Sequence, residues 1–446
     1  MLNFRRRILI AGFYYFADSI LSTMNKLNTT FLSLFFSIYL NCAFAQTQLQ
    51  TAPPASARVS ADRLQRIDNL IQNNVDKQLI SGAIGLIARD GKIVYNKAFG
   101  YSDIEAKTAL RTNDIFRIAS QTKAITSVAV MMLFEEGKFL LDDPISKYIP
   151  AFARPKVLDK FNPADSSFTT IPAKREITIR DLLTHTSGID YAVIGTANMK
   201  AIYAKSGIPP GFGSAGILLK TEIEKLGALP LVHQPGERFT YGLNTDVLGY
   251  LVEVASGMSL DRFFAERIFK PLGMNDTYFY LPVSKYSRLV PIYTFDNQNH
   301  LEKYLRNGVI TADYPKSKGT YFSGGAGLSS TIYDYAVFLQ MLLNKGTYKG
   351  TRLLSRRSVD LMTMNQIGDL NVRTDKFGLG FQITSKEGMA KLGVTEGTFA
   401  WGGYFGTTYW VDPAEKIVGL IFIQQSPLRS DIHDKFKALV YQSLTD

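Results

Sequence analysis

The chain has 446 residues, 46% of them hydrophobic and 20% charged, with a formal net charge of +11. That composition is globular and long enough for one large domain or two to three ordinary ones; it excludes a disordered or fibrous chain. Basic and acidic residues are interspersed, no run of five basic residues occurs and no nucleic-acid-binding motif is present, so nucleic acid is not an expected partner despite the positive charge.

The N-terminus reads as an address. Met24-Asn25-Lys26, the apolar run 31–40 and Ala43-Phe44-Ala45 before Gln46 form the basic, apolar and cleavage parts of a secretory signal. The apolar run is too short to span a bilayer. Residues 1–45 are expected to be an export segment, with the signal peptide at 24–45 and translation starting at Met24. The mature protein would be periplasmic or secreted, with no stable membrane span. The single cysteine, Cys42, rules out an internal disulfide and a cysteine-based metal site. The four histidines, His185, His233, His300 and His433, lack metal-ligand spacing.

Residues 46–60 are polar and rich in Ala, Pro and Thr, and read as a linker. Helical spacing of Leu64, Ile67, Leu70, Ile71 and Val75 predicts a helix over 61–78. Two apolar runs, 83–88 and 92–99, flank Asp90-Gly91, a strong hairpin signal. An apolar helix is predicted over 122–136, ended by Gly137. Further helices are predicted over 179–183, 245–255, 260–268 and 332–343. Residues 192–229 show no clear period and read as a long loop or lid. Near the C-terminus, 377–383, 399–411 and 417–424 read as strands, and about 430–444 as a closing helix. Both ends of the chain thus supply strands to one antiparallel sheet flanked by helices, with a helical insert between them, an α+β layout. The expected sheet part is about 61–115 and 360–446, and the helical part about 116–359.

Ser120-Gln121-Thr122-Lys123 stands where the helix of 122–136 begins, and Ser-x-x-Lys occurs nowhere else in the chain. Residues three apart in a first helical turn share a face. A serine hydroxyl is a weak nucleophile that needs a nearby base, and a lysine can supply one. A second proton carrier is expected from Tyr241, on the loop Pro235–Asn244 that leads into a helix. Acyl transfer also needs backbone N–H donors for the oxyanion. The Ser120 N–H is one candidate, and Trp401-Gly402-Gly403-Tyr404 offers a strand whose glycines permit close approach. No G-x-S-x-G pentapeptide is present, which removes the main sequence support for a nucleophile-elbow hydrolase. His185 reads as a structural histidine, His233 as turn support, and Gly324–Gly327 as a tight turn near the site.

This order of motifs resembles the serine β-lactamase and penicillin-binding protein superfamily, and is most similar to class C β-lactamases and the family VIII carboxylesterases. Leu182–Gly188, Pro235-Gly236-Glu237, Pro271–Met274 and Gly324–Leu328 add to the resemblance, which covers residues 61–446. It implies a β-lactamase/transpeptidase-like fold, with Ser120 as the acylated nucleophile, Lys123 as its proton partner and Tyr241 as general base and acid. It also implies an oxyanion hole from the N–H groups of Ser120 and Tyr404. Trp401, Gly402, Gly403 and Asn244 would contact substrate. Trp401 replaces the lysine of the Lys-Thr/Ser-Gly motif, which favours neutral esters or amides with apolar groups and an esterase over a β-lactamase. Asn244 stands one place beyond the asparagine of the family's Tyr-x-Asn. No metal or organic cofactor is required by such chemistry. The alternatives are a β-lactamase or D-amino-acid peptidase, and a binding protein or sensor that is acylated without turnover.

Overall fold

The structure, a computed structural model, describes residues 48–211, 216–304 and 311–446. The export segment and Cys42 lie outside the described residues.

One sheet organises the chain. Its strands are β1 (Gln50–Thr51), β2 (Gly82–Arg89), β3 (Lys92–Asp103), β4 (Thr108–Ala109), β5 (Lys376–Phe377), β6 (Gln382–Ile383), β7 (Phe399–Gly402), β8 (Thr408–Asp412) and β9 (Ile417–Phe422). Their order is β1-β3-β2-β9-β8-β7-β6-β5, with β4 beside β3. Every pairing is antiparallel except β1 with β3. β2 and β3 turn through Asp90 and Gly91, both at positive φ (51° and 73°), as a tight two-residue hairpin demands. The ends of the chain meet where β9 pairs with β2 over six residues.

Both faces of the sheet are covered, so β9 is apolar throughout instead of alternating. Ile417 and Ile421 point to one face, and Val418, Leu420 and Phe422 to the other. The first face is closed by α1 (Ala61–Asp76), through Leu64, Ile67 and Ile71, and by α6 (Ile432–Gln442), through Ile432, Phe436 and Val440. Trp410 fills the gap between strand and helix, edge-on to Phe436 with ring centroids 5.9 Å apart. Its ring lies over Gly419, where an added Cβ would collide with the indole.

The other face packs on the helical part of the chain. α2 (Thr122–Glu135) is buried over nearly its whole length, as a helix apolar on all sides must be. It lies against α4 (Asn244–Ser256), and α5 (Ile332–Leu343) covers β9. The short α3 (Ile179–Leu183) carries a complete capping box, with Thr178 Oγ1 accepting from Asp181 N and the Asp181 carboxylate accepting from Thr178 N.

Four expectations change. Residues 48–60 are not a linker: β1 pairs with β3, and Leu49 is buried with its N–H on Tyr348 Oη at 3.1 Å. The region 192–229 contains helices Ala197–Lys205 and Leu219–Gly227; the second buries Leu219, Ile223 and Leu226, one stripe at helical spacing. The expected strand over 377–383 is a tight hairpin, β5–β6, turning through Gly378 and Gly380. The expected strand over 399–411 is also a hairpin, β7–β8, whose turn includes Gly403 and Gly406. Among the described residues, no helix is long and apolar enough to cross a membrane.

Phe436→Ala removes the ring that seals Trp410 against α6. It is expected to lower the unfolding free energy by about 3–5 kcal/mol, read as a fall in the urea midpoint at unchanged slope.

Candidate active site

Ser120 sits in a 3-10 turn, Ala119–Gln121, that opens directly into α2. The turn is held from behind. Arg117 is buried, donating from Nε to Ala312 O and from Nη1 to Val290 O, each at 2.7 Å, while its own N–H donates to Gln424 Oε1 at 2.7 Å. Burial lowers the guanidinium to about 10, which leaves it charged at neutral pH. Ile118 N bonds Leu328 O at 3.0 Å. Ala119 then takes a left-handed φ of +43°, an uncommon conformation for a residue with a Cβ, and Ser120 is left half-buried facing the site.

Lys123, one turn along, is buried. Its ammonium bonds Ser120 Oγ at 3.3 Å, Tyr191 Oη at 2.9 Å and Gly325 O at 2.8 Å, which uses all three of its protons. The same nitrogen lies 4.6 Å from the ring centre of Tyr241 and 5.3 Å from that of Tyr191. The structure therefore brings Ser120, Lys123 and Tyr241 together. Trp401 joins them: its Nε1–H donates to Tyr241 Oη at 3.2 Å, and the two rings are 5.2 Å apart.

Tyr191 is the residue that sequence reasoning missed. It follows the Leu182–Gly188 stretch by three residues, and nothing in its local pattern separates it from the other tyrosines. Its phenol is held well above its ordinary pKa by burial, with its neighbours Tyr241 and Asp246 acting in the same direction. It stays protonated beside Lys123.

A buried layer supports these groups. Gly325 O, the acceptor for Lys123, belongs to the glycine turn expected near the site. Asp246 of α4 fixes that turn through Ser323 Oγ, which donates to Oδ1 at 2.6 Å, and Gly325 N, at 3.4 Å. Thr126 Oγ1 of α2 donates to Gly324 O at 2.7 Å. Burial raises the Asp246 carboxyl to about 6, against the opposing pull of Ser323 and the Lys123 charge.

Asn244 is not where the expected contact with substrate would put it. It is fully buried, accepting from Ser187 Oγ at 2.5 Å through Oδ1 and donating from Nδ2 to His185 Nδ1 at 2.9 Å. The one-residue offset from Tyr241 turns it into the wall, where it ties α4 to the Thr186–Ile189 loop. His185 is structural, as expected. Burial and the Lys123 charge hold its pKa well below the ordinary range, so the ring is neutral. Nδ1 accepts from Asn244 and Gly242, which places the proton on Nε2. The ring stacks 4.9 Å from Tyr241 and is flanked by Phe239 and Phe377. His233 supports its turn, through Gln234 O and Thr240 Oγ1, both at 2.8 Å.

β7 forms the opposite wall. β6 pairs only with Phe399 and Ala400, so the ladder on that side stops before Trp401. Gly403 packs on the Ser120 turn; a Cβ there would lie 2.5 Å from Ile118 O. Only glycine lets the two backbones meet. Gly403 N donates to Thr407 O at 2.7 Å, and Tyr404, a residue 47% exposed, follows in the turn. Beside this edge a cleft of about 500 Å3 runs along Phe239, Tyr241 and Trp401. The assembly offers a hydroxyl, an amine or ammonium, two phenols and two close backbones, the parts that acyl transfer uses.

Asp246→Asn tests the buried layer. The folded carboxyl titrates near 6, above the value of about 3.9 for an unfolded aspartate, so its contribution is full below pH 4 and fades as pH rises through 6. The stability of the natural chain relative to Asp246→Asn should fall by on the order of 3 kcal/mol between pH 4 and pH 7, measured by urea unfolding. A difference independent of pH would mean that the carboxyl titrates alike in the folded and unfolded chain.

The family model described as Beta-lactamase matches residues 67–442. The chain is 35% identical over 370 residues to Protein Rv1367c of Mycobacterium tuberculosis (strain ATCC 25618 / H37Rv), across 80% of this chain and 89% of that protein. It is 30% identical over 379 residues to Esterase EstB of Burkholderia gladioli, across 81% and 90% respectively. A solved structure described as EstCE1, a hydrolase with promiscuous acyltransferase activity, matches with a TM-score of 0.73 at 26% identity, over 86% of this chain and 98% of that one. The chain belongs to the beta-lactamase family, with the α+β fold of β-lactamases and transpeptidases, and it is a serine hydrolase.

Proposed function

We propose that this serine hydrolase is an exported esterase that cleaves small carboxylic esters through an acyl-enzyme on Ser120. The observation that carries the reading is the Lys123 side chain, bonded at once to Ser120 Oγ and Tyr191 Oη beneath the Tyr241 ring. In the first half-reaction Lys123 gives one proton to Tyr241 and, as the amine, takes the Ser120 hydroxyl proton while Oγ attacks the ester carbonyl; Tyr241 then hands its proton to the alcohol oxygen, which leaves as the C–O bond breaks. In the second, water attacks the acyl-enzyme, gives its proton back along the same groups and restores the serine hydroxyl. Tyr191 keeps Lys123 aimed at Ser120. The N–H groups of Ser120 and Tyr404 receive the oxyanion, and the closeness of Gly403 to the Ser120 turn supports that pairing.

Trp401 supports esters over β-lactams, since its indole caps Tyr241 where a carboxylate-binding lysine would otherwise stand. The similarity to Esterase EstB points the same way. Export rests on the signal-like run before Gln46; N-terminal sequencing of the secreted chain should begin at Gln46.

With p-nitrophenyl butyrate, the natural chain should release a burst of p-nitrophenol, and Ser120→Ala should lose about 10^3-fold or more in kcat. A fluorophosphonate should add its mass at Ser120 and nowhere else. Tyr191→Phe should lower kcat by about tenfold to a hundredfold, the weight of one hydrogen bond to a charged group. Full activity in Ser120→Ala sinks the mechanism, and nitrocefin turned over faster than the ester reverses the choice of substrate.

A further inference from the structure

The cleft beside Tyr241 and Trp401 has a second end. α6 contributes Lys437 to its lining, and the loop before β5 contributes Arg373 and Asp375. Ala400 and Trp410 are cross-strand partners, so their side chains share the α6 face of the sheet, opposite to Trp401. The cleft therefore wraps the open edge of β7, with an aromatic end at Tyr241, whose ring adjoins Lys123, and Trp401, and a polar end at Lys437 of α6.

Lys437 is unusual among the charges of this protein. Its ammonium lies 5.3 Å from the Trp410 ring centre, and among the described residues it has no ion-pair partner. Asp375, the acid nearest to it in the cleft lining, has both oxygens engaged: Oδ1 accepts from Ser385 N at 3.0 Å and Oδ2 from Gln382 Nε2 at 2.6 Å. Asp434, one turn back on α6, is exposed. Arg373 is likewise without an ion pair among the described residues and is exposed at the rim, at a left-handed φ of 58°. Burial lowers the Lys437 pKa, opposed by Asp434 and Asp375. An unpaired, half-buried ammonium in a cleft wall is costly to keep, and an arriving anion would relieve that cost.

We propose that Lys437, with Arg373 at the rim, binds a carboxylate carried by the substrate, so that the preferred esters are anionic at the end remote from the scissile bond. The inference rests on the esterase reading and refines it. The family's strand lysine is absent at Trp401, and a cation from another element, on the far side of the same strand, takes up the recognition of charge. Neutral esters, expected from Trp401 alone, become the weaker substrates.

Two matched pairs test the two arms of an ester. Mono-p-nitrophenyl adipate against p-nitrophenyl hexanoate places the carboxylate on the acyl side; 3-acetoxybenzoate against phenyl acetate places it on the alcohol side. In at least one pair, Lys437→Met should lower the anionic-to-neutral ratio of kcat/KM by about tenfold through KM, while Lys437→Arg keeps the ratio of the natural chain. Ratios unchanged within twofold in both pairs overturn the proposal. If no ester of either pair is turned over by the natural chain, the esterase reading fails instead. The charge site is then decided by calorimetric titration of Ser120→Ala with monomethyl adipate: binding lost in the Ser120→Ala, Lys437→Met double variant supports it, and binding unchanged overturns it.

Discussion

The three hydrogen bonds of the Lys123 ammonium are the constraint to which the rest of the architecture answers. A lysine head group drawn out of water must find partners for every proton, and here each partner comes from a different part of the chain. Ser120 comes from the turn before α2, Tyr191 from the loop after α3, and Gly325 from the glycine turn before α5. None of these segments carries a regular ladder of its own at that point. They are held from outside by Arg117, by Asn244 with His185 and Ser187, and by Asp246 with Ser323. The buried polar network around the site is thus a scaffold for one cation.

The sheet performs a separate task. β2 and β3 from one end of the chain and β7 to β9 from the other close the molecule, and the helical part between them hangs on the resulting face. This arrangement carries the Ser120 turn, at the start of that part, to the end of β7, near the close of the chain. The Ser120 turn and its opposing backbone wall, 283 residues apart in sequence between Ser120 and Gly403, come to backbone contact because both ends belong to one sheet.

Much of this was legible in the residues. Ser120 and Lys123 announce themselves through unique spacing at a helix start, and Tyr241 and Trp401 through their places on a loop and a strand. The helices of 179–183 and 332–343 were readable in the sequence pattern. What escaped was set by tertiary structure. A period of two cannot tell one long strand from a tight hairpin, so the turn that carries Tyr404 looked like the interior of a strand. The helix Leu219–Gly227 has a sound apolar stripe, but it lies among glycines and prolines that obscured it. Asn244 has the right chemistry one residue out of phase, and on a helix one residue is a rotation of about 100°. Tyr191 has no motif at all: only the folded arrangement places its hydroxyl beside Lys123.

The short pairing between β6 and β7 has a meaning beyond the site. A strand edge with unused backbone groups is a template on which another chain can build, and proteins protect such edges or suffer association. In this chain β6 covers Phe399 and Ala400, and the ladder on that side ends there. The exposed stretch is too brief for a foreign strand to find register, and Trp401 and the tight turn at Gly403 close its two ends. The proposed acyl transfer uses an open sheet edge, and the chain restricts that opening to a length suited to a small molecule and short for a pairing strand.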